Sequence, residues 1–446
     1  MPLMLKNYAC NSAVRHMLVL CMLLIAFGAA FHKAAHRPAP ALFQLPQIKQ
    51  KIGIVQKSIS ASSGIRTHFV SAQQNVSTHA ASLVELGDGR IRAFWFAGSR
   101  EGAQDVEIRS AVFDLSNESW GHEQSIANRE DTQRSLLRYV KKLGYPVALR
   151  APDGKLWLFY VTVSLGGWAG SSIAAITSND DGATWSPARR LITAPFINIS
   201  TLVKGTPFLY SDGTMGLPVY HEFIGKFGEL LRINVNGEII DKQRLSSGKS
   251  TLQPVVLIKS PQQALVLMRR SGTSPKRVIA TTTNDAGRHW SRPIPTVLAN
   301  PDAAISGVVL PNGRMLVVLN DIEEGRDALS LVVSSDGGTT WKTMYQLEDR
   351  RGQPADSTSY PQAAAESAKA TDTSIIDATG YAKSAQRNKC EEQKCSFEFS
   401  YPYLIQANNG DLHLVYTWNR SFIKHVQFAQ AWLDQRMEKV GNAEPH

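Results

Sequence analysis

Arginine recurs where β-rich runs of this 446-residue chain end, and its side chain is suited to binding acidic groups. The guanidinium group offers a rigid fork of donors, so arginines that meet in space can grip one carboxylate through paired hydrogen bonds. The arginines concerned are Arg100, Arg269, Arg270, Arg326 and Arg420. They predict a site for an acidic ligand, provided that the fold brings the ends of these runs together.

Other polar and aromatic residues occupy corresponding positions. Those at the ends of runs, or in the loops that follow, are Glu101, Asp105, Trp168, His221, Glu222 and Asn320. Those at or just before the starts of runs are His79, Gln253, Glu398 and Tyr401. Carboxyl, imidazole and phenol groups can transfer protons, and aromatic rings pack on sugars. The combination favours an acidic saccharide as the ligand.

An eight-residue pattern, here called the octet, occurs three times and indicates which elements position these residues. The copies are 178–185 (SNDDGATW), 283–290 (TNDAGRHW) and 334–341 (SSDGGTTW). The aspartate can accept backbone N–H groups in a tight turn, the glycine can adopt positive φ, and the tryptophan can cover the turn. The octet spacing corresponds to a period of about 50 residues, typical of propellers and solenoids.

Turn pairs between β-rich runs give the phase of this repeat. They are Asp88-Gly89, Asp153-Gly154, Asp212-Gly213, Asn312-Gly313 and Asn409-Gly410, with 260–263 in the remaining slot. Each is a hairpin signal. The sequence therefore predicts an all-β, six-bladed β-propeller with blades at 79–120, 145–191, 205–245, 252–294, 306–347 and 399–433. Residues 67–71 are expected to close the ring as the outer strand of the sixth blade.

Strand order separates two faces of the predicted propeller. In an antiparallel hairpin, the start of the first strand and the end of the second lie at the same edge. The arginines and their neighbours therefore share one face, here called the site face. The octets connect third to fourth strands on the opposite face, here called the octet face. We expect the octets to be scaffold and to take no part in the chemistry.

The N-terminal segment differs from the rest of the chain. Residues 1–31 contain an apolar run at 17–31 preceded by basic residues, which predicts a signal peptide or a membrane anchor. Residues 32–66 are expected to form a linker, followed by the propeller over 67–440. The chain is then exported to the periplasm, either anchored through a membrane contact or secreted.

Two further expectations concern the insertion at 349–397, between the fifth and sixth blades. Its polar composition is consistent either with a lid over one face or with a disordered loop. Export favours a disulfide between Cys390 and Cys395. No spacing of Asp, Glu and His predicts a metal site, and we expect no cofactor.

The positive charge of the chain is confined to its start. The formal net charge is +10, but eight basic residues precede Glu85, the first acidic residue, and the remainder is nearly neutral. This distribution argues against nucleic acid as a partner.

From about residue 79 to 427 the sequence resembles the bacterial predicted sialidases with BNR repeats, whose Asp-box the octets match. FWFAGSREGAQDVEIRSAVFD, LPNGRMLVVLND and FEFSYPYLIQANNGDLHLVYTWNRSFIKHV are similar to its signature blocks. The resemblance implies that three arginines hold a sugar carboxylate, a Tyr–Glu pair is the nucleophile and an aspartate is the acid/base. It places Asp105 as the acid/base, Arg269 (or Arg270) and Arg326 as the second and third arginines, and Tyr401 as the nucleophile.

The sequence also departs from that pattern. His79 stands where the first arginine is expected, and Gln253 where the glutamate that activates the tyrosine is expected. Glu398 or Glu222 could replace that glutamate, and His79 with Arg420 could replace the first arginine and its acid.

The leading hypothesis is an exported hydrolase that removes a terminal acidic sugar from a glycan. One alternative is a lyase acting on uronic acids, with His79 or Tyr401 as the base. Another is a non-catalytic propeller that binds acidic glycans.

Overall fold

The structure is a computed structural model that describes residues 3–35, 41–45, 64–194, 198–272, 274–353, 356–372 and 374–442. Six antiparallel sheets of four or five strands follow one another along the chain. Each packs against the next, and the innermost strand of the last packs against that of the first. The arrangement is a six-bladed propeller, which confirms the predicted fold.

The strands of the first three blades are given in order from the central axis outward; blade one has an accessory strand and blade three an interrupted inner strand. Blade one contains Ser77–Glu85, Ile91–Gly98, Glu107–Asp114 and Ser119–Trp120, with Gln124–Ala127 also pairing with the third strand. Blade two contains Lys142–Arg150, Leu156–Val163, Ser171–Ser178 and Arg189–Arg190. Blade three contains Leu202–Val203 and Phe208–Leu209, then Met215–His221, Phe227–Ile233 and Ile239–Arg244.

The last three blades follow the same plan. Blade four contains Thr251–Ile258, Ala264–Arg270, Arg277–Thr283 and Ile294–Ala299. Blade five contains Ser306–Val309, Met315–Leu319, Ala328–Ser334 and Lys342–Asp349. Blade six contains Phe399–Gln406, Leu412–Trp418 and Phe422–Phe428, and its outer strand is Ile65–Phe69. That N-terminal strand pairs antiparallel with Phe422–Phe428, so the predicted closure of the ring is confirmed.

The core lies between the blades, because every blade is covered on both faces by its neighbours. The second strands are therefore continuously apolar rather than alternating. Every residue of Ile91–Gly98 and of Leu156–Val163 is buried. Trp95, Trp157 and Trp418 are among the largest fully buried side chains. Burial of a large apolar side chain stabilises the fold by about 1.5–3 kcal/mol each.

The octets lie in the turns between third and fourth strands of blades two, four and five, as predicted. In the first octet, the Ser178 hydroxyl donates to Asp180 (2.6 Å) and accepts the Gly182 N–H (2.8 Å), while Asp180 accepts the Thr184 N–H (2.9 Å). The hydroxyl residue is thus as important to the turn as the aspartate. Trp185 contacts Phe94 of blade one edge-on, with 5.8 Å between ring centres, which joins neighbouring blades.

The N-terminal helix spans Leu3–Ala35. Its stretch Ser12–His32 is 21 residues long, has a mean hydropathy of 2.1 and is unburied, so it is long and apolar enough to cross a membrane. Signal sequences meet the same criterion. The apolar stretch is therefore longer than the 17–31 run taken from the sequence, and at 1.5 Å per residue it spans about 30 Å.

Part of the predicted linker packs on the propeller instead of lying free. Phe43 is 1% exposed and sits between Phe208 and Tyr210, with ring centres 5.7 Å and 5.6 Å away. Its N–H donates to the Pro261 carbonyl (2.8 Å). Tyr210 and Pro261 adjoin the first hairpin turns of blades three and four, so this contact lies on the octet face. Residues 36–40 and 46–63 of the predicted linker lie outside the described residues.

Two helices outside the insertion were not expected from the sequence. Arg129–Leu136 connects blades one and two and is capped by Asn128, whose side chain accepts the Asp131 N–H at 2.9 Å. Gln430–Asn442 follows the last strand, so blade six ends before the predicted residue 433. Helix Arg129–Leu136 is too polar to show apolar periodicity, whereas Gln430–Asn442, among its described side chains, buries only Leu433 and Met437, too short a stripe to distinguish it from the end of blade six.

The insertion is folded, so the disordered-loop alternative is wrong. Helices Tyr360–Thr371 and Ala378–Lys389 pack on each other and on the outer strands of blade six. The Tyr381 ring stacks on Phe422 with 4.1 Å between centres. A short hairpin, Cys390–Glu391 and Lys394–Cys395, follows, and the predicted disulfide between its cysteines is confirmed.

Candidate functional site

Four inner strands carry the same irregularity near the site face. In each, two consecutive residues lie opposite one residue of the second strand, which is a β-bulge. The first bulged residue has positive φ, namely Ala80 (51°), Tyr145 (51°), Gln253 (51°) and Tyr401 (55°). A bulge changes the direction of a side chain relative to the normal alternation. The bulges thus aim the side chains of blades two, four and six at one central place.

Proline follows the bulged residue in three of the four strands, as Pro146, Pro254 and Pro402. Proline has no N–H, so it leaves no donor unpaired where the ladder is interrupted. An X-Pro pair inside an apolar run is therefore the sequence signal of these bulges.

Tyr401 lies at the centre of the site and is buried. Its hydroxyl accepts a hydrogen bond from Arg269 Nη1 at 3.3 Å and lies 3.5 Å from Gln253 Nε2. The Arg326 guanidinium is 5.9 Å from the centre of its ring. Burial raises the pKa of Tyr401, but the charges of Arg269 and Arg326 outweigh it, and the net effect is a lowered pKa. The two guanidinium groups thus make Tyr401 easier to ionise than an ordinary tyrosine.

Arg269 is held in place by an acid that the sequence did not single out. Its Nε donates to Asp302 at 2.5 Å and its Nη1 to the Gln253 side-chain oxygen at 3.2 Å. Burial lowers the pKa of Arg269, but the interactions with Tyr401 and Asp302 outweigh this effect, and the net result is a raised pKa. The guanidinium group therefore stays charged. Asp302 precedes the first strand of blade five and has φ of 60°. No motif marks it, because its partner is 33 residues away.

Three cationic side chains bind the Glu398 carboxylate. It accepts hydrogen bonds from Arg326 Nη1 (3.3 Å), Arg420 Nε (3.1 Å) and Lys389 Nζ (2.7 Å). Burial raises the pKa of Glu398, but these charges, Arg420 first, hold it well below its usual range. Within the described residues the Glu398 carboxylate has no hydrogen bond to Tyr401. We therefore assign it to orienting the arginines.

A second acid completes the cluster. Glu101 accepts a hydrogen bond from Arg420 Nη1 at 2.5 Å with one carboxylate oxygen and from the Tyr145 hydroxyl at 3.2 Å with the other. The Tyr145 ring stacks on Tyr401 with 5.9 Å between centres. Tyr145 thus lies between Tyr401 and Glu101, in contact with both. The sequence indicated Glu101 only as a substrate contact.

His79 lies behind Tyr401, with 4.2 Å between ring centres, and is 1% exposed. Its Nδ1 is 3.0 Å from the Thr417 hydroxyl. Burial, together with the charge of Arg420, lowers the pKa of His79 to about 3. The imidazole is therefore neutral near pH 7 and cannot take the place of a cationic arginine.

Trp168 and Glu222 lie at the rim. Trp168 begins the short 3-10 turn Trp168–Gly170 and packs edge-on against Tyr145, with 4.9 Å between ring centres. Lys142 Nζ lies 3.8 Å from the centre of the Trp168 ring. Burial raises the pKa of Glu222, opposed by Lys226 and Arg269. Glu222 is thus close enough to Arg269 to interact with it, but no hydrogen bond joins it to Tyr401 within the described residues.

Asp105 is exposed in the loop after the second strand of blade one. Its carboxylate accepts the Ser99 N–H (2.8 Å) and hydroxyl (2.9 Å). Beside it is a cleft of about 430 Å³ whose lining includes residues of blade one, blade six and the insertion. The lining residues are Ser77, Ser99, Arg100, Glu101, Arg387, Asn388 and Arg420. The insertion thus forms one wall of the site face without covering Tyr401.

Three residues predicted for the site are turned elsewhere. Arg270 donates to the Ser274 carbonyl at 2.5 Å, as expected for a neighbour of Arg269 on the opposite side of a strand. His221 stacks on Phe227 (4.7 Å) and accepts the Ile224 N–H. Asn320 is fully buried and donates to the carbonyls of Ala328 (2.6 Å) and Phe399 (2.8 Å). Its amide therefore holds the strands together.

The described residues contain no group of three or more His, Cys, Asp or Glu side chains that could hold a metal ion. The chemistry available at the site is that of phenol, carboxylate and guanidinium groups.

Comparisons with known proteins agree with the fold described above. The family model described as a BNR repeat-like domain matches residues 89–414. No curated protein matches the chain. Among solved structures, a Hadza microbial sialidase superposes with a TM-score of 0.58 at 16% identity, covering 79% of this chain and 66% of that one, so the chain spans just under two thirds of its length.

Two other solved structures superpose along most of their own length. A protein of unknown function from Dyadobacter fermentans has a TM-score of 0.58 at 12% identity, covering 82% of this chain and 99% of that one. The intramolecular trans-sialidase from Ruminococcus gnavus has a TM-score of 0.54 at 12% identity, covering 80% and 95%. At such identities the likeness establishes the fold.

Proposed function

The chain belongs to the sialidase-like family with the BNR repeat-like domain, and from this premise we propose that it is a glycoside hydrolase that removes a terminal acidic sugar of the sialic-acid type. The observation that carries the proposal is the contact between the Tyr401 hydroxyl and Arg269, with Arg326 beside the ring. A phenol of lowered pKa next to two fixed guanidiniums is suited to attack a sugar that bears a carboxylate.

The substrate carboxylate would bind to the arginines. Arg269, Arg326 and Arg420 are each fixed by a carboxylate, so their forks are preorganised. Among the described residues, Nη2 of Arg269 and Nη2 of Arg420 have no hydrogen-bond acceptor. Those N–H groups are available for a ligand. Arg420 would supply the cation that the family pattern expects at the position of His79.

Tyr401 would act as the nucleophile. Tyr145 stacks on Tyr401 and donates to Glu101, so the Tyr401 proton would pass to the Tyr145 oxygen while the Tyr145 proton passes to Glu101, which leaves Tyr401 as a phenolate. The phenolate oxygen would attack the anomeric carbon as the glycosidic bond breaks. Because Tyr401 is a neutral phenol until its proton leaves, it would not repel the substrate's own carboxylate during binding, as a permanently charged carboxylate nucleophile would. Gln253, which cannot accept the proton, would hold Tyr401 and Arg269 in register.

Asp105 would protonate the leaving oxygen and later take a proton from the attacking water. Asp105 lies on an exposed loop and its carboxylate is bonded to Ser99, the residue beside the cleft, so it would be able to approach the bound sugar. Two attacks at the same carbon restore its configuration, so the sugar would be released with retention.

We also propose that the chain is exported, with Ser12–His32 either cleaved or retained as an anchor. Fractionation of cells that produce the full chain checks this. Recovery in the cytosolic fraction of chain that still carries its N-terminal segment would contradict export.

Release of 4-methylumbelliferone from its α-sialoside tests the activity. Tyr401→Phe should lower kcat by about 1,000-fold or more, because it removes the nucleophilic oxygen. Tyr403→Phe is the matched control, since Tyr403 is buried two residues along the same strand and lies outside the Arg269 contacts. Equal rates for wild type and Tyr401→Phe would contradict the proposed role.

The other functions are distinguished by other substrates. Incubation with a uronic-acid polysaccharide tests the lyase, whose product would be an unsaturated uronide detected by absorbance. Binding of sialyl glycans without release, lost in Arg326→Ala, would indicate a non-catalytic propeller.

A further inference from the structure

The cleft beside Asp105 has a charge that the reaction does not require. Its walls carry three guanidinium groups, from Arg100, Arg387 and Arg420, against the single carboxylate of Glu101. Arg420 is paired with acids on both sides. Within the described residues, Arg100 and Arg387 have neither an ion pair nor a side-chain hydrogen bond, and both are exposed. Most other arginines of the site face have a carboxylate partner, so this pair is available to bind an anion.

The cleft lies on the side of the leaving group. Ser99 lines the cleft and also donates both hydrogen bonds that hold Asp105. Asp105 is the proposed donor to the leaving oxygen, so the sugar that departs would lie in this cleft. This step rests on the proposed function.

The wall from the insertion is rigidly placed. Asn388 Nδ2 donates to the carbonyls of Val76 and Arg420, both at 3.1 Å, and Lys389 Nζ binds Glu398 at 2.7 Å. Arg387 precedes these two anchors near the end of helix Ala378–Lys389. Its backbone is therefore fixed beside the cleft although its side chain is exposed, and little ordering is lost when it binds an anion.

We propose that this cleft binds an acidic group on the sugar next to the cleaved bond, so that the preferred substrate is a polyanionic glycan with acidic residues on both sides of that bond. Arg100 and Arg387 bind the second acidic group, while Arg269, Arg326 and Arg420 bind the first. The helical insertion is then a specificity element rather than a lid.

Binding of two probes to the full-length chain tests this proposal. One is the α2,8-linked sialic acid dimer and the other is 3′-sialyllactose, which share the terminal acidic sugar and differ in the charge of the next one. Titration calorimetry on Tyr401→Phe avoids turnover. The dimer should bind about tenfold more tightly, a difference typical of one added charge-assisted contact.

Arg387→Ala should remove most of the preference for the dimer and leave the affinity for sialyllactose unchanged. Lys383→Ala is the matched control, because Lys383 is exposed one turn earlier on the same helix and does not line the cleft. It should leave both affinities unchanged. Added salt should weaken the dimer more than sialyllactose.

The outcomes separate this proposal from the proposed function. If the chain prefers the dimer but cleaves no sialoside, the proposed hydrolase activity is overturned and the proposed role of the cleft is supported. If the chain cleaves sialosides but binds the two probes equally, or if Arg387→Ala lowers both affinities equally, the proposed role of the cleft is overturned. Failure of both probes to bind overturns both.

Discussion

The two faces of the propeller hold their polar groups in opposite ways. On the octet face, the hydrogen bonds of the first octet join residues two to four positions apart, as from Ser178 to Asp180 and Gly182. On the site face, Tyr401 is bonded to Arg269 across 132 positions, and Arg420 to Glu101 across 319. The octet is a locally closed turn, whereas the site exists only when five blades meet.

This difference explains why the repeated motif is not the functional one. A turn that satisfies its own donors and acceptors can be copied from blade to blade without regard to its neighbours. A site built from distant partners needs a different residue from each blade, so its members occur once. Repetition in a propeller sequence therefore indicates scaffold, and the chemistry lies where the repeats differ.

The strongest test of this contrast is Arg269→Lys. The change keeps a positive charge but loses the fork that joins Asp302, Gln253 and Tyr401. We expect kcat/KM for the sialoside to fall by about 1,000-fold. Arg270→Lys, the neighbouring residue turned away from the site, should keep activity within about threefold of wild type. Equal losses in the two variants would show that the site is not organised as described.

Glu398→Gln should cause the largest loss of stability. It leaves three cations facing a neutral amide in a buried place, and we expect the free energy of unfolding to fall by about 3 kcal/mol. Glu324→Gln, at an exposed ion pair, is the control and should not change stability measurably. Urea unfolding measures both.

The stability lost in Glu398→Gln should depend on pH in a definite direction. The pKa of Glu398 in the folded chain lies well below its ordinary value of 4.5. Its contribution to stability is therefore complete above about pH 4.5 and is lost as the pH falls through the lower folded value. The difference between wild type and Glu398→Gln should narrow in acid. A difference that widens in acid would contradict the ion-paired state.

Tyr145→Phe sharpens the contrast within the site. It removes the hydroxyl between Tyr401 and Glu101 and should lower kcat by about 30-fold with KM little changed, because proton transfer rather than binding is affected. Tyr160 lies in the same blade as Tyr145, and its buried hydroxyl is hydrogen-bonded to Thr132. Tyr160→Phe removes that hydroxyl and should not alter kcat. A rise in KM without a fall in kcat would assign Tyr145 to binding.

The smallest effect is expected on the octet face. Ser178→Ala removes the acceptor of the buried Gly182 N–H and should lower the free energy of unfolding by about 1–2 kcal/mol. Activity of the folded variant should equal that of wild type. Loss of activity without loss of stability would mean that the octets affect the chemistry.

The sequence was sufficient for much of the fold, because octets and hairpin turns are local signals. They gave the six blades and the strand that closes the ring. The docking of Phe43 could not be foreseen, since it depends on one aromatic side chain meeting two others contributed by blade three. The helix Arg129–Leu136 was missed because it is strongly polar, and Gln430–Asn442 because its buried stripe, within the described side chains, consists of only Leu433 and Met437.

From the sequence, the site could be predicted only as a set of residues at the starts and ends of β-rich runs. Position along the runs indicated Tyr401, Arg269, Arg326, Arg420 and Glu101, which the structure brings together. It could not distinguish Arg269 from Arg270, since the direction of each side chain depends on the register and bulges of the sheet. Asp302 and Tyr145 owe their importance to partners in other blades.

The seating of Phe43 also limits where the propeller can be relative to the N-terminal helix. Only five residues lie between that helix and Ala41, and even when extended they reach about 20 Å. If the helix is retained in a membrane, this short connection would hold the octet face close to the membrane. The site face would then be turned toward the solvent and large glycans. Lipid-borne quenchers should then quench a fluorophore at Asn312, on the octet face, more strongly than one at Arg100, and the reverse order would exclude this orientation.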